Sequence, residues 1–231
     1  MDPIDKELKE ILYQSGANLV GFANLKSVIE DGNMNFGVSV AVVISKKVIK
    51  SIHNGPNIDY YNEYHRINEL LNNIVTIGAE FLVSRGYKAC AQTTDFVKEF
   101  GNYRTSLPHK TVATRAGIGW IGKSALLVTK EYGSAVRISS LITDAELQCA
   151  EPINKSYCDI CIACTKACPA KAISGELWNV NKDRDSFYNP LDCRKMARDL
   201  SSQNINKDIT LCGKCIEICP FTRKYLSRAL V

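Results

Sequence analysis

Apolar residues recur at helical steps in two stretches of the chain and cluster into short runs elsewhere. Ile4, Leu8, Ile11 and Leu12 fall on one face, which predicts a helix over residues 4–15. The longest helical pattern runs from Tyr61 to about Arg85. There Ile67, Leu70, Leu71, Ile74, Ile77, Phe81 and Leu82 recur every three or four residues, and Gly86 supplies the stop. Extended segments are predicted at Leu19–Leu25, Phe36–Ser45, Tyr87–Thr93, Ala125–Thr129 and Ala135–Thr143. The second of these is Val-rich and lies between Asp31-Gly32-Asn33 and Lys46-Lys47. Gly55-Pro56-Asn57 marks a loop, Phe96–Leu107 reads as irregular, and His109–Arg115 suits a short helix. Strands interleaved with helices indicate an α/β layer architecture for residues 1–148. Residues 149–231 are expected to form a second, ferredoxin-like domain, with short helices after Cys168 and Cys219.

The second segment carries the chemistry. Cys158, Cys161, Cys164, Cys168 and Pro169 spell C-x2-C-x2-C-x3-C-P, and Cys212, Cys215, Cys219 and Pro220 repeat its ending. The first run has the bacterial iron–sulfur ligation spacing, in which the fourth cysteine serves the other cluster of a pair. The second run has only one preceding C-x2-C pair and needs a further thiolate, for which Cys193 is available. Cluster one then takes Cys158, Cys161, Cys164 and Cys219, and cluster two takes Cys168, Cys193, Cys212 and Cys215. Zinc favours two C-x2-C pairs and leaves the repeated x3-C-P ending unexplained. Disulfides need an oxidising compartment. Two [4Fe–4S] clusters are therefore expected, with Cys90 and Cys149 left over as packed, inert thiols.

Composition changes this picture little. Of 231 residues 45% are hydrophobic and 23% charged, ordinary for a globular protein. The polar N-terminus does not read as a secretory signal, and the longest apolar run falls well short of the ~20 residues a membrane helix needs. A cytoplasmic protein with no membrane partner is expected. The formal charge of +5 invites a nucleic-acid partner, but two all-cysteine clusters at about −2 each leave roughly +1. Lys166, Lys171, Arg194, Lys195, Lys214 and Arg223 lie near the ligands in sequence and are read as local neutralisation.

Residues Gly117 to Ser124 match both G-x-G-x-x-G and G-x-x-x-x-G-K-S. Both phosphate-binding mechanisms need a buried strand before the glycines and a helix after them. Here a charged segment precedes and an extended one follows, so the match is read as a decoy. The wider stretch, Leu107 to Gly133, resembles the central motif of the epoxyqueuosine reductase family, in which an A-G-L-G-W-x-G-K core precedes two strands and a double-cubane module. The resemblance extends through Gly55–Tyr64 and the cysteine framework. It implies a corrinoid-dependent reductase, as in the related reductive dehalogenases. The resemblance places Gly117, Gly119, Trp120, Gly122 and Lys123 in one wall of the corrinoid cavity; the other reading makes Trp120 a core residue and the glycines a tight turn.

Family members acting on tRNA continue into a helical-repeat tail that this sequence does not contain. Their acidic residue ahead of the aligned proline is also missing from Gly101–Leu107. A small organic substrate is thus expected ahead of tRNA. Tyr103 and His109 are the candidate proton donors nearest the motif. The Asp-x-His-x-x-Gly cobalt-ligating pattern is absent, which agrees with a family whose cobalt lacks a protein imidazole. The first reading is an oxidoreductase passing electrons from a ferredoxin- or flavodoxin-type donor through two clusters to a corrinoid. The alternative is an electron carrier or reductive activator serving a partner enzyme. The large segment outside the clusters, with its glycine-rich motif, favours the first.

Overall fold

The protein, represented by a computed structural model, is described over residues 3–29 and 33–228; Asp31 and Gly32 of the segment flanking the Val-rich strand lie outside these residues. The elements in chain order are α1 (Pro3–Gln14), β1 (Leu19–Asn24), β2 (Phe36–Val43), α2 (Lys46–Ser51), α3 (Ile58–Ser84), β3 (Ala89–Ala91), α4 (His109–Arg115), β4 (Gly119–Ile121), β5 (Leu127–Thr129), β6 (Val136–Thr143), α5 (Ala163–Ala167), α6 (Pro190–Ile205), α7 (Lys214–Glu217) and α8 (Pro220–Ser227). They form a mixed α/β fold made of two compact units that interleave along the chain. One unit holds residues 1–42, 67–119 and 137–153, and the other holds 43–66, 120–136 and 154–231. The sequence reading divides the chain once, at residue 148.

The first unit is built on a four-stranded sheet of order β1-β2-β6-β3. β1 and β2 pair antiparallel with Leu19 opposite Ala41, and β3 pairs antiparallel with β6 with Ala89 opposite Thr143. β2 is buried along almost its whole length, which is why its apolar residues run together rather than alternate. α1 and α4 pack against β1. Val112 of α4 is fully buried in a cluster with Ala23, Leu25, Leu107 and Ala116, worth about 1.5–3 kcal/mol for such a side chain. α1 places a carboxylate on its buried face. Asp5 is fully buried, and its Oδ2 accepts the Gln148 N–H at 3.0 Å.

The second unit contains two helices without a clear apolar repeat. α2 is capped by Ser45, whose hydroxyl accepts the Val48 N–H, and it buries Val48 and Ile49. α6 starts with Asn189 accepting the Leu191 and Asp192 N–H groups and Pro190 in its first turn, a favoured helix start. Here the structure corrects the expectation around Cys168. The helix lies before that cysteine, as α5, because Pro169 and the positive φ of Lys171 (51°) turn the chain immediately after it. The helix expected after Cys219 is α8.

Candidate metal centre

The second unit gathers the seven cysteines of the two runs and Cys193. α5 carries Cys164, α6 carries Cys193, and α7 carries Cys215. Gly213 precedes α7 at φ 82° and lets the chain reverse between Cys212 and Cys215. Cys219 is the N-cap of α8, with Pro220 behind it. The ten cysteines are all free and half-buried.

The thiols fall into two groups by their mutual influence. Cys164 is pushed up to about 11 by burial and then by Cys158, Cys219 and Cys161. Cys215 is raised by burial, then by Cys212, Cys193, Cys164 and Cys168. Burial, Cys193 and Cys168 likewise raise Cys212, and burial and Cys168 raise Cys193. The closing cysteine of each run thus sits with the other run's thiols, and Cys164 and Cys215 lie near one another across the two groups. Bare thiols in this setting resist ionisation, whereas bound iron deprotonates a coordinating thiol outright.

Among the described residues, no set of three or more Cys, His, Asp or Glu is placed to hold a single metal ion. A zinc site needs all its thiolates about 2.3 Å from one centre. A cubane offers each thiolate a different iron, so its donors stand farther apart. Donor type, number and spacing along the chain fit two cubanes.

Polar groups converge on both sets. The Thr165 N–H bonds the Cys164 sulfur, and the Lys214 N–H bonds the Cys212 sulfur. The Tyr188 hydroxyl bonds the Cys193 sulfur, and burial followed by the charges of Cys193 and Cys215 raises its phenol. Tyr188 is held by its bridge to Ile173. Sequence reasoning missed it, since a lone Tyr five residues before a Cys carries no signal. It also missed Glu217, which is 3% exposed between Cys215 and Cys219 and pairs with Arg223 and with His53 Nδ1 at 3.5 Å. Of the cations expected to neutralise the clusters, Arg223 pairs with Glu217, whereas Lys214 donates to the His53 carbonyl while its charge acts on Cys212.

The glycine-rich motif is not a phosphate loop. It leaves α4 and runs into the β4–β5 hairpin, with no helix after it before α5. Within the second unit Trp120 is 1% exposed, edge-on to Tyr157 (5.2 Å) and Phe221 (4.9 Å). A Cβ on Gly122 would meet Val128 Cγ2 at 2.8 Å and Cys158 Sγ at 3.5 Å. Lys123 is 5% exposed, and its ammonium donates to the Cys161 carbonyl at 2.9 Å. In the first unit Gly117 backs onto Ala150 and Glu151, and Gly119 is buried. Four of the five are buried, and Gly117 is half-buried.

Tyr103 and His109 belong to the first unit. Tyr103 is partly exposed in a loop at φ 57°. His109 Nδ1 lies 2.8 Å from Ser140 Oγ, and burial, then Arg137, lower its pKa to about 4. Its imidazole is therefore neutral at pH 7. The unfolded chain, titrating near the ordinary 6.5, takes up this proton first as the pH falls. Stability from this group is fully present above about pH 6.5 and is lost as the pH falls through about 4. The loss is about 2 kcal/mol, allowing for partial water contact. His109→Gln should flatten the fall in urea midpoint between pH 7 and 5; an unchanged slope would refute the assignment. The remaining thiols, Cys90 and Cys149, are both raised by burial, Cys149 to about 11.

Residues 157–222 match the 4Fe-4S double cluster binding domain. The epoxyqueuosine reductase of Atelocyanobacterium thalassa is 30% identical over 165 residues, 71% of this chain and 49% of that protein. A reductive dehalogenase, whose structure is described as suggesting a mechanism for B12-dependent dehalogenation, aligns with TM-score 0.70 at 16% identity over 94% of this chain and 31% of that one. An epoxyqueuosine reductase solved with an epoxyqueuosine-modified tRNA-Tyr stem loop gives TM-score 0.63 at 18% identity over 94% and 65%. At such identities the two structures establish likeness of fold. The chain spans about half the length of the curated relatives it matches. Among the described residues, no helix is long and apolar enough to cross a membrane.

Proposed function

Because the chain is a relative of the epoxyqueuosine reductases, we propose that it is an iron–sulfur oxidoreductase relaying single electrons through two [4Fe–4S] clusters. The observation that carries this reading is the pair of adjoining thiol sets, in which Cys215 feels Cys164 as well as its own set. A cubane on four thiolates supplies one-electron redox chemistry. Cys158, Cys161, Cys164 and Cys219 would hold the first, and Cys168, Cys193, Cys212 and Cys215 the second. Thr165, Lys214 and Tyr188 donate hydrogen bonds to their sulfurs. Such bonds favour the more negative, reduced state.

The electrons would come from a ferredoxin- or flavodoxin-type donor and leave to a small organic substrate. A corrinoid acceptor is supported by the likeness of fold to the B12-dependent dehalogenase. The alternative is an electron carrier for a partner enzyme. A tRNA substrate is the third reading, supported by the relative solved with a stem loop.

Anaerobically reconstituted, dithionite-reduced protein separates these readings when mixed with cobalamin. The corrinoid reductase binds about one per chain and its cluster absorbance returns as cobalt is reduced. Absence of binding selects the carrier. Retention of an epoxyqueuosine-bearing stem loop by the protein, with turnover, selects tRNA.

A further inference from the structure

Three features around cluster one are not explained by ligation alone. The Trp120 indole Nε1 is buried and has no hydrogen-bond partner. The ring is clasped between Tyr157, which precedes Cys158, and Phe221, which follows the Cys219-Pro220 pair. Two residues on, Gly122 brings the backbone so close that an added Cβ would lie 3.5 Å from Cys158 Sγ. Beside it the buried Lys123 ammonium reaches the carbonyl of Cys161. Three of the four ligands of one set, or their near neighbours in sequence, are thus touched by one four-residue segment. An N–H kept from water and left unpaired calls for an acceptor that protein atoms do not provide, and sulfide and thiolate sulfurs are such acceptors.

We propose that Trp120–Lys123 is the hydrogen-bonding and charged wall of cluster one, with Trp120 donating its indole N–H to a sulfur and Lys123 supplying the buried cation that favours the reduced state. Cluster two has instead the less buried Lys214, whose charge acts on Cys212, and the neutral Tyr188 hydroxyl on Cys193. The two sites are therefore set apart in potential by different side chains, Trp120 and Lys123 for the first and Tyr188 for the second. This rests on the double-cluster reading, whose own failure would show separately as wild-type protein that takes up no iron.

The test is an EPR-monitored redox titration of anaerobically reconstituted protein, with iron and sulfide content confirming assembly. Trp120→Phe keeps the ring packing and removes the donor. It should shift one couple about tenfold toward the oxidised form, which for one electron is about 59 mV, and should erase an exchangeable-proton coupling from that cluster's pulsed EPR spectrum. Lys123→Met should shift the same couple in the same direction, and Lys123→Arg should restore most of it. Tyr188→Phe should move the other couple. If Lys123→Met fails to assemble, Trp120→Phe decides alone. Potentials and proton couplings unchanged in Trp120→Phe overturn the proposal. So does a shift in the couple that Tyr188→Phe moves, or loss of cobalamin binding with both couples intact.

Discussion

Replacing Cys193 with alanine should cut the iron and sulfide of reconstituted protein from about eight to about four of each per chain. Cys193 belongs to neither cysteine run and stands on α6, a helix with no other thiol. Cys168 and Cys212 nonetheless act on it or feel it, as does Cys215. Without it the second set has three thiols and a buried gap in place of a fourth. The first set shares no thiol with it and should still assemble. Cys90→Ala is the matched control and should retain about eight irons, because Cys90 lies in β3 of the other unit. Full iron in Cys193→Ala would remove it from the ligand set and reopen the search for the eighth donor.

The largest stability loss is expected from Gly133→Ala. Gly133 closes the turn after β5 by exchanging backbone hydrogen bonds with Thr129 at 2.9 and 3.0 Å, and it does so at φ 61°. A methyl group there would stand 2.2 Å from the Thr222 nitrogen and 2.6 Å from the Phe221 carbonyl carbon. Both are backbone atoms in the first turn of α8, so no side chain can swing aside. Left-handed backbone costs about 1–2 kcal/mol for a residue with a Cβ, and forced overpacking adds about 1–3. The sum, about 2–5 kcal/mol, should lower the unfolding midpoint by roughly 10 °C in a chain of this size. Since α8 begins at Cys219, cluster one should become labile as well. A midpoint within about 2 °C of wild type would show that α8 can shift without cost.

The sequence exposes the parts of this molecule whose physics is local. The 3.6-residue repeat from Ile67 to Leu82 announces α3, although the helix starts earlier, at Ile58, where Asn57 accepts the Tyr60 N–H. The thiol spacing announces two sets because ligation fixes how far apart along a chain the donors stand. The rest depends on contacts between distant positions. Asp5 looks like an exposed first-turn acid until the Gln148 N–H folds onto it. Gly122 and Lys123 look like part of a cofactor loop; tertiary packing sets Gly122 beside Cys158 Sγ and Lys123 on the Cys161 carbonyl. Tyr188 gives no local sign of its bond to Cys193. α2 and α6 had only their caps, Ser45 and Asn189-Pro190, to reveal them, and their apolar residues are too few to show a repeat.

The crossing of the two runs has a consequence for how the chain is kept folded. Cys158 and Cys219 meet in one set although they stand 61 positions apart, so an inorganic core bridging them acts as a staple around a long ring. By the chain-entropy argument used for disulfides, a ring of that size denies the unfolded ensemble roughly 4 kcal/mol of freedom. A second staple ties Cys168 to Cys215 inside the first. Oxygen that strips a cluster therefore opens the ring as well as the electron path. Loss of a cluster should then show as faster proteolysis of the oxygen-treated protein than of the reconstituted one.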